Sequence, residues 1–474
     1  MASVTVPAGA NVVTTGSPYL AILRLALPTV LAMLTQSLVN KVDIFLFKML
    51  PHPEGSNAQA AMFPSLVLIW MFGGSLSAIS VGTQALAARR FAEGKHEDAG
   101  GVLVNSWLFA LAAGTASTIV AYLSLPWVLR FLIDVPEVRE AARGYLQWRL
   151  PGIASMVMTF SFKSFFDGLG KPYVHMVSSL AMNAVNIALC LLLIFGNWGF
   201  PQMGIAGAGL AGFAATWVGL FLMIAWSLRG RYRRQYHPFA VARLDRSTVA
   251  AILRLSIPSG VATIAVMTGF VLFSKVVSKL DGDVARAATG GSNEAVYSAA
   301  TTVIVGLLIL TFSACLAFGT STATLVSQSL GEGDPEKAER FGWSSVRLGL
   351  ALFGTIGFLE GVVFPREILS FLSSSPAVIE AGMIPLRMMG LCTPFVAVGM
   401  ILTQALFGAG NTRYVMFVEL VLHFTCLIPV AWLLGITFEL GLVGVWSSAA
   451  IYMVLLTAAM AWKFARGDWK TIRI

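Results

Sequence analysis

Charge is what this sequence has least of. Only 12% of its 474 residues are Asp, Glu, Lys or Arg, while 57% are hydrophobic; an average soluble domain carries roughly 25% charged residues. That excludes a water-soluble globule and leaves an integral membrane protein. Cysteine is scarce as well. Cys190, Cys315, Cys392 and Cys426 each fall inside an apolar run and show no metal-ligand spacing, so neither a disulfide framework nor a zinc site is indicated. Long polar stretches are missing, which leaves little room for a soluble domain. Residues 1–17 carry no basic side chain and run straight into an apolar segment far longer than the ~7–15 residues of a signal-peptide core, so no cleavage is expected.

What is present is a series of apolar windows of ~20 residues. They place spans near 20–50, 58–86, 102–125, 145–165, 173–195 and 205–228, and again near 252–280, 295–329, 346–364, 383–407, 414–434 and 442–465. Runs of helical length, without short alternating strands, predict an all-α membrane protein of about twelve transmembrane helices rather than a barrel. The first, second, seventh and eighth exceed what a bilayer needs, so they should tilt, bend or protrude. The formal charge is +9, and its densest part, Arg229, Arg231, Arg233, Arg234, Arg243 and Arg246, separates the two sets. Basic loops mark the cytoplasmic side. The division expected is a six-helix lobe over 1–228, a basic cytoplasmic linker over 229–250 and a second six-helix lobe over 251–474. Both termini are then cytoplasmic in a multi-pass protein of the plasma membrane. Membrane orientation and contact with anionic lipid account for the basic residues; no nucleic-acid partner is called for.

The two halves repeat. Ile22-Leu23-Arg24-Leu25-Ala26-Leu27-Pro28 recurs as Ile252-Leu253-Arg254-Leu255-Ser256-Ile257-Pro258. Ala92-Glu93-Gly94 with Ala99 recurs as Gly331-Glu332-Gly333 with Ala338. Gly168-Leu169-Gly170 matches Gly408-Ala409-Gly410, and Gly204-Ile205-Ala206-Gly207 matches Gly441-Leu442-Val443-Gly444. The order is the same in both halves. A repeat of six spans returns the chain to its starting side, so the copies should be related by a pseudo-two-fold axis along the membrane normal.

Asp43 lies fifteen residues beyond Pro28 in the first span, more than ~20 Å along a helix at ~1.5 Å per residue, within a hydrocarbon core ~30 Å thick. A carboxyl group at such depth must be neutralised by a proton, a cation or a partner, and is a functional-site hypothesis by default. The plainer reading is a salt bridge to Lys41 or Lys48, or a place near enough to the outer interface for the carboxylate to snorkel. The repeat sets Phe273 opposite Asp43, so the carboxylate belongs to one copy only, and this favours function over scaffold. Lys41, two residues away, points to the other side of the helix and reads as a snorkelling side chain. Lys163 reads as interfacial. In the eleventh span Glu419 and His423 stand at i, i+4 on one face, either as a proton relay or as a local salt bridge or satisfied core histidine. Met33, Met156, Met267, Phe270 and Phe395 offer soft apolar contacts of the kind promiscuous sites use.

These residues resemble the multidrug and toxic compound extrusion (MATE) transporters of the multidrug, oligosaccharidyl-lipid and polysaccharide (MOP) exporter superfamily. The likeness is carried by the Pro28-to-Asp43 spacing with Gln36 between, and by Gly82-Thr83 and Gly319-Thr320 ahead of the Glu-Gly motifs. Asp167-Gly168-Leu169-Gly170, Asn183-Ala184-Val185-Asn186, Gly196-Asn197-Trp198-Gly199-Phe200-Pro201 and Gly408-Ala409-Gly410-Asn411-Thr412-Arg413 extend it over nearly the whole chain. The resemblance implies a transporter and not an enzyme. It implies two six-helix lobes and export of amphipathic, often cationic small molecules by antiport, with no cofactor beyond a coupling proton or sodium ion. It makes Asp43 the acid that binds the coupling ion and Pro28 the point where that helix bends, with Gln36, Asn186 and Thr216 as supporting pocket residues. The chain departs from the family at three places. Cys190 stands where many members have a second acid, Gly212 stands where a threonine is common, and no acid occurs in 256–273. Few hard oxygen ligands remain for a sodium cage, so proton coupling through Asp43 is the simpler expectation. A flippase for a lipid-linked or polysaccharide intermediate is the alternative. The partners expected are substrates and membrane lipids, the protein acting as a monomer.

Overall fold

The computed structural model describes residues 17–51, 53–133, 135–287, 296–373 and 375–474, except for the side chains at 38, 40, 41, 43, 44 and 283–287. Among the described residues there is no strand. In chain order the helices are α1 (Pro18–Lys48), α2 (Glu54–Ile69), α3 (Ile79–Ala92), α4 (His96–Leu132), α5 (Pro136–Arg149), α6 (Ile153–Gly168), α7 (Tyr173–Phe195), α8 (Gly204–Ser227) and α9 (Gly230–Tyr236). They continue as α10 (Arg246–Ala287), α11 (Val296–Gly331), α12 (Pro335–Phe358), α13 (Pro365–Leu372), α14 (Pro376–Ala409), α15 (Thr412–Leu422), α16 (Ile428–Trp432) and α17 (Gly441–Arg466).

Eleven helices among the described residues are long and apolar enough to cross a membrane. The fourth expected span is the exception. It is broken at Leu150–Gly152, where a short 3-10 turn divides α5 from α6, because Pro151 has no N–H to continue the ladder. Neither piece alone has membrane length. A second interruption falls between α2 and α3, where a π-helical turn at Trp70–Gly74 runs into a 3-10 turn at Ser75–Ala78. The Ser117 hydroxyl donates to the Phe72 carbonyl there at 2.6 Å, satisfying a backbone acceptor within the altered turn. The matching stretch of the second half, α11, is one unbroken helix.

The chain forms two compact units. One comprises 27–260 with Ile474, the other 261–473 with the described residues before Leu27. The boundaries thus fall inside α1, just before Pro28, and inside α10, just after Pro258. Each unit is built round the fourth helix of its repeat, which is more buried in its second part than in its first. In the 27–260 unit α6 packs on α3, α4 and α8, and most of its residues are buried. In the 261–473 unit α14 packs on α11, α12 and α17. Small residues allow this closeness: a Cβ on Gly357 would lie 2.3 Å from the Gly390 carbonyl oxygen, and one on Gly390 2.5 Å from that of Gly357. Close backbone approach through small residues is the usual means of packing helices in lipid.

The basic segment after α8 is folded onto the 27–260 unit. Asn105, buried in α4, donates to the Arg243 carbonyl at 3.0 Å and accepts from the Asp245 amide at 2.9 Å. Trp107 Nε1 donates to the Pro238 carbonyl, Arg243 pairs with Glu97, and Tyr236 sits edge-on against Phe165 and His96. Asp245 then caps α10: hydrogen bonds from the Ser247 and Thr248 hydroxyls and amides hold its carboxyl down to about 2. The stabilisation is fully present above the ordinary carboxylate value of ~4 and is lost as pH falls from there through about 2.

The tightest point of this docking is Gly100, where an added Cβ would meet the Tyr236 carbonyl oxygen at 1.6 Å. Gly100→Ala is expected to lever the linker off α4, at a cost of about 1–3 kcal/mol typical of overpacking. A lower melting temperature of the purified protein and faster proteolysis within 229–245 would report it.

Candidate functional site

In the 27–260 unit, polar side chains line the buried helix α6 and its neighbours. Thr83, Ser106 and Ser161 form a hydroxyl chain, with Thr83 Oγ1 2.6 Å from Ser106 Oγ and Ser106 Oγ 2.9 Å from Ser161 Oγ. Lys163 is buried and bonded to Asp167 at 2.6 Å. This corrects the reading of Lys163 as interfacial: the i, i+4 carboxylate on the same helix gives its ammonium a partner inside the protein, so it need not reach headgroups.

The residues expected to serve a pocket fall in separate places. Thr216, on α8, meets Ser155 of α6, their hydroxyl oxygens 3.0 Å apart. Thr216 donates to the Phe213 carbonyl. Asn186 is buried on α7, and its nearest polar contact is Cys190 one turn on, with Sγ 3.8 Å from Oδ1. Gln36 is exposed on α1. The backbone of α1 runs without a break through Pro28 and Asp43, while the Asp43 side chain, like that of Lys41, lies outside the described residues. Phe273, opposite Asp43 in the repeat, is buried and edge-on to Trp446 at 5.4 Å between ring centres, so the second copy has an aromatic pair at that position.

One residue near Thr216 was passed over in the sequence. Arg149, the last residue of α5, lays its guanidinium along two glycines: an added Cβ on Gly212 would be 2.9 Å from Nε, and one on Gly152 would be 2.9 Å from Nη1 and 3.2 Å from Thr216 Oγ1. Its position within the apolar run 145–165 was the available signal.

The 261–473 unit brings Glu419 and His423 together as the i, i+4 spacing predicts, and adds a third group. Tyr452 of α17 donates its hydroxyl to the Glu419 carboxylate at 2.7 Å. His423 Nδ1 is 2.8 Å from the Glu419 carbonyl oxygen and 3.4 Å from its carboxylate, and its ring centre is 4.6 Å from that of Tyr452. All three are buried. Gly269 of α10 admits the imidazole, since a Cβ there would be 2.4 Å from His423 Cδ2. At His423 the helix also widens into a π-helical turn, His423–Leu427, a feature frequent at functional positions. Among the described residues no cluster of three or more His, Cys, Asp or Glu is placed to hold a metal ion.

A duplicated, wholly helical membrane bundle with isolated titratable groups buried inside each unit is the build of a secondary transporter. The sequence pattern of the MatE family matches residues 28–192 and 258–433, once in each half, and the chain belongs to that family, whose members are transporters and not enzymes. Among its relatives is a Thermotoga maritima protein described as "Probable multidrug resistance protein NorM", 26% identical over 408 residues that cover 85% of this chain and 83% of the relative. A Caulobacter vibrioides protein of the same description is 25% identical over 95% of this chain and 92% of its own length. Solved structures share the fold. A MOP superfamily transporter from Pyrococcus furiosus superposes with a TM-score of 0.84 at 21% identity over 97% of this chain and 98% of that one. An outward-facing multidrug resistance MATE family transporter gives 0.82 at 21% identity, over 96% of both chains.

The Glu419–Tyr452 bond yields a stability test. Tyr452→Phe removes the donor and leaves a buried carboxylate short of a hydrogen bond, a loss of about 1–3 kcal/mol, to be read as a lower melting temperature in detergent. Glu419→Gln keeps an oxygen to accept the Tyr452 hydroxyl and is expected to melt close to the wild type.

Proposed function

We propose that this protein exports amphipathic, often cationic compounds across the plasma membrane by alternating access, taking a proton in exchange for each passenger. The observation that carries the export reading is the MatE pattern in both halves, together with relatives over most of the chain described as multidrug resistance proteins.

The coupling we assign to Asp43. The charged form of a carboxylate is disfavoured away from water and favoured when water reaches it, so a carboxyl group on the opening helix binds a proton or releases it according to which face of the bundle is open. Pro28 lacks the N–H that would complete a helical hydrogen bond and makes a bend in that helix inexpensive, which links protonation to helix shape and to release of the substrate. Proton is preferred to sodium because a cation cage needs several hard oxygens, and Gln36 and Asn186 are the neutral oxygen donors the resemblance supplies. In the other unit Tyr452 hydrogen-bonds the Glu419 carboxylate, and His423 Nδ1, bonded to the Glu419 carbonyl, lies 3.4 Å from that carboxylate; we assign the three a secondary role as a proton relay.

Asp43→Asn is expected to abolish proton-driven efflux while the protein still inserts at wild-type levels; efflux retained in that variant contradicts the scheme. His423→Gln should slow transport, and an unchanged rate removes the relay. Accumulation of a fluorescent cation in cells, with and without an uncoupler, tests the export reading itself. Insensitivity to the uncoupler, together with labelled lipid-linked intermediates held on one leaflet in its absence, would favour the flippase alternative.

A further inference from the structure

The guanidinium of Arg149 needs an explanation that the export scheme does not supply. A cation near the end of a membrane helix ordinarily snorkels, its stem running along the helix and its head reaching for the nearer aqueous boundary. A side chain on α5 leans naturally toward the helix N-terminus, which is the Pro136 end. Arg149 does the opposite. Its head reaches forward, past the end of α5, to lie over Gly152 and against Gly212. Gly212 is eight residues inside α8, roughly 12 Å along the helix from its first residue. Nη1 is therefore directed into the unit, while the residue as a whole is half-buried.

Its surroundings are shaped to admit it. Gly152 and Gly212 are the positions that a side chain of any size would take from it: at Gly212 a Cβ would lie 3.0 Å from Arg149 Cδ as well as 2.9 Å from Nε. A Cβ on Gly152 would meet Nη1 at 2.9 Å, Thr216 Oγ1 at 3.2 Å and Phe213 Cα at 3.6 Å, and Ser155 Oγ stands 3.0 Å from Thr216 Oγ1. The two hydroxyls spend their protons on the carbonyls of Phe213 and Gly152, and both can rotate toward another acceptor. Nη1 is shut away from solvent and has no acceptor among the described residues. A buried guanidinium donor left without an acceptor is costly, and what satisfies it best is a planar or tetrahedral oxyanion, to which the fork of N–H groups is matched.

We propose that Arg149, with Thr216 and Ser155, forms an oxyanion subsite in the 27–260 unit, so that the substrates handled best are amphipathic molecules bearing a carboxylate, sulfonate or phosphate group, including zwitterions. The proposal rests on the transport reading above and narrows its substrate class. Arg149 sets specificity, and Gly152 and Gly212 act by leaving room for it.

The test uses the full-length protein purified in detergent and, in parallel, reconstituted in liposomes. The probes are a fluorophore with a free carboxylate and its methyl ester, which differ in that group alone. Binding is followed by fluorescence polarisation, and transport by an imposed pH gradient. Wild type is expected to bind the acid at least ~10-fold more tightly than the ester, the size of one charge-assisted hydrogen bond. Arg149→Gln should lose that preference and keep its affinity for the ester. Arg149→Lys should retain part of it, since an ammonium keeps the charge without the fork. Gly212→Ala keeps the arginine but displaces it, and should lose the preference as Arg149→Gln does, which guards against a result caused by misfolding of one variant. An acid-to-ester ratio unchanged in both Arg149→Gln and Gly212→Ala overturns the subsite, even if the pH profile of transport shifts. Wild-type protein that binds with the expected preference but moves neither probe overturns the exporter reading and leaves the subsite standing.

Discussion

A charge taken inside a helical bundle in lipid has to be answered, by an opposite charge, by hydrogen bonds or by something that arrives from outside, because the surroundings offer no water to do it. The interior of this protein is arranged by how each buried group meets that demand. Lys163 is answered by Asp167 within one helix. Glu419 is answered by the Tyr452 hydroxyl and the imidazole beside it. The hydroxyls of Thr83, Ser106 and Ser161 answer one another. Arg149 is different: its Nη1 is enclosed and finds no acceptor among the described residues. Groups that are satisfied at home hold the bundle together; a group that is not satisfied at home is available to a passenger.

The architecture was largely legible in the sequence, for a physical reason. In a bilayer the apolar run needed to cross sets the length of a helix, so composition and spacing alone place the spans. The duplicated proline and glycine motifs give the order of the helices within each half, and the MatE pattern falls on both copies. What hydropathy could not reveal is how a span is interrupted. Pro151 divides the fourth crossing, yet Pro126, Pro385 and Pro394 sit inside unbroken helices. Whether a proline breaks or is absorbed depends on which neighbours take up the freed carbonyl, and those come from elsewhere in the chain.

The site was less legible. Glu419 and His423 are one turn apart and any helical reading pairs them, but Tyr452 is thirty-three residues on and nothing local points to it. Lys163 and Asp167 are likewise one turn apart; the pairing was missed because a cation near a span end suggests the interface first. Arg149 was overlooked since a single arginine near the start of an apolar run is unremarkable until the two glycines that accommodate it, Gly152 and Gly212, are seen to converge on it. Gly212, noted in the sequence only as the loss of a threonine, gains its meaning from that convergence.

The way the two units divide the chain bears on how the protein is made. Ile22, Leu25 and Ala26 are buried in the unit otherwise built from residue 261 onward, roughly two hundred and thirty residues later in synthesis. At ~5–20 residues per second that is a delay on the order of 10–50 s. For that interval the part of α1 before Leu27 must keep lipid or a chaperone against the face it will later bury, while the rest of α1 belongs to the unit completed first.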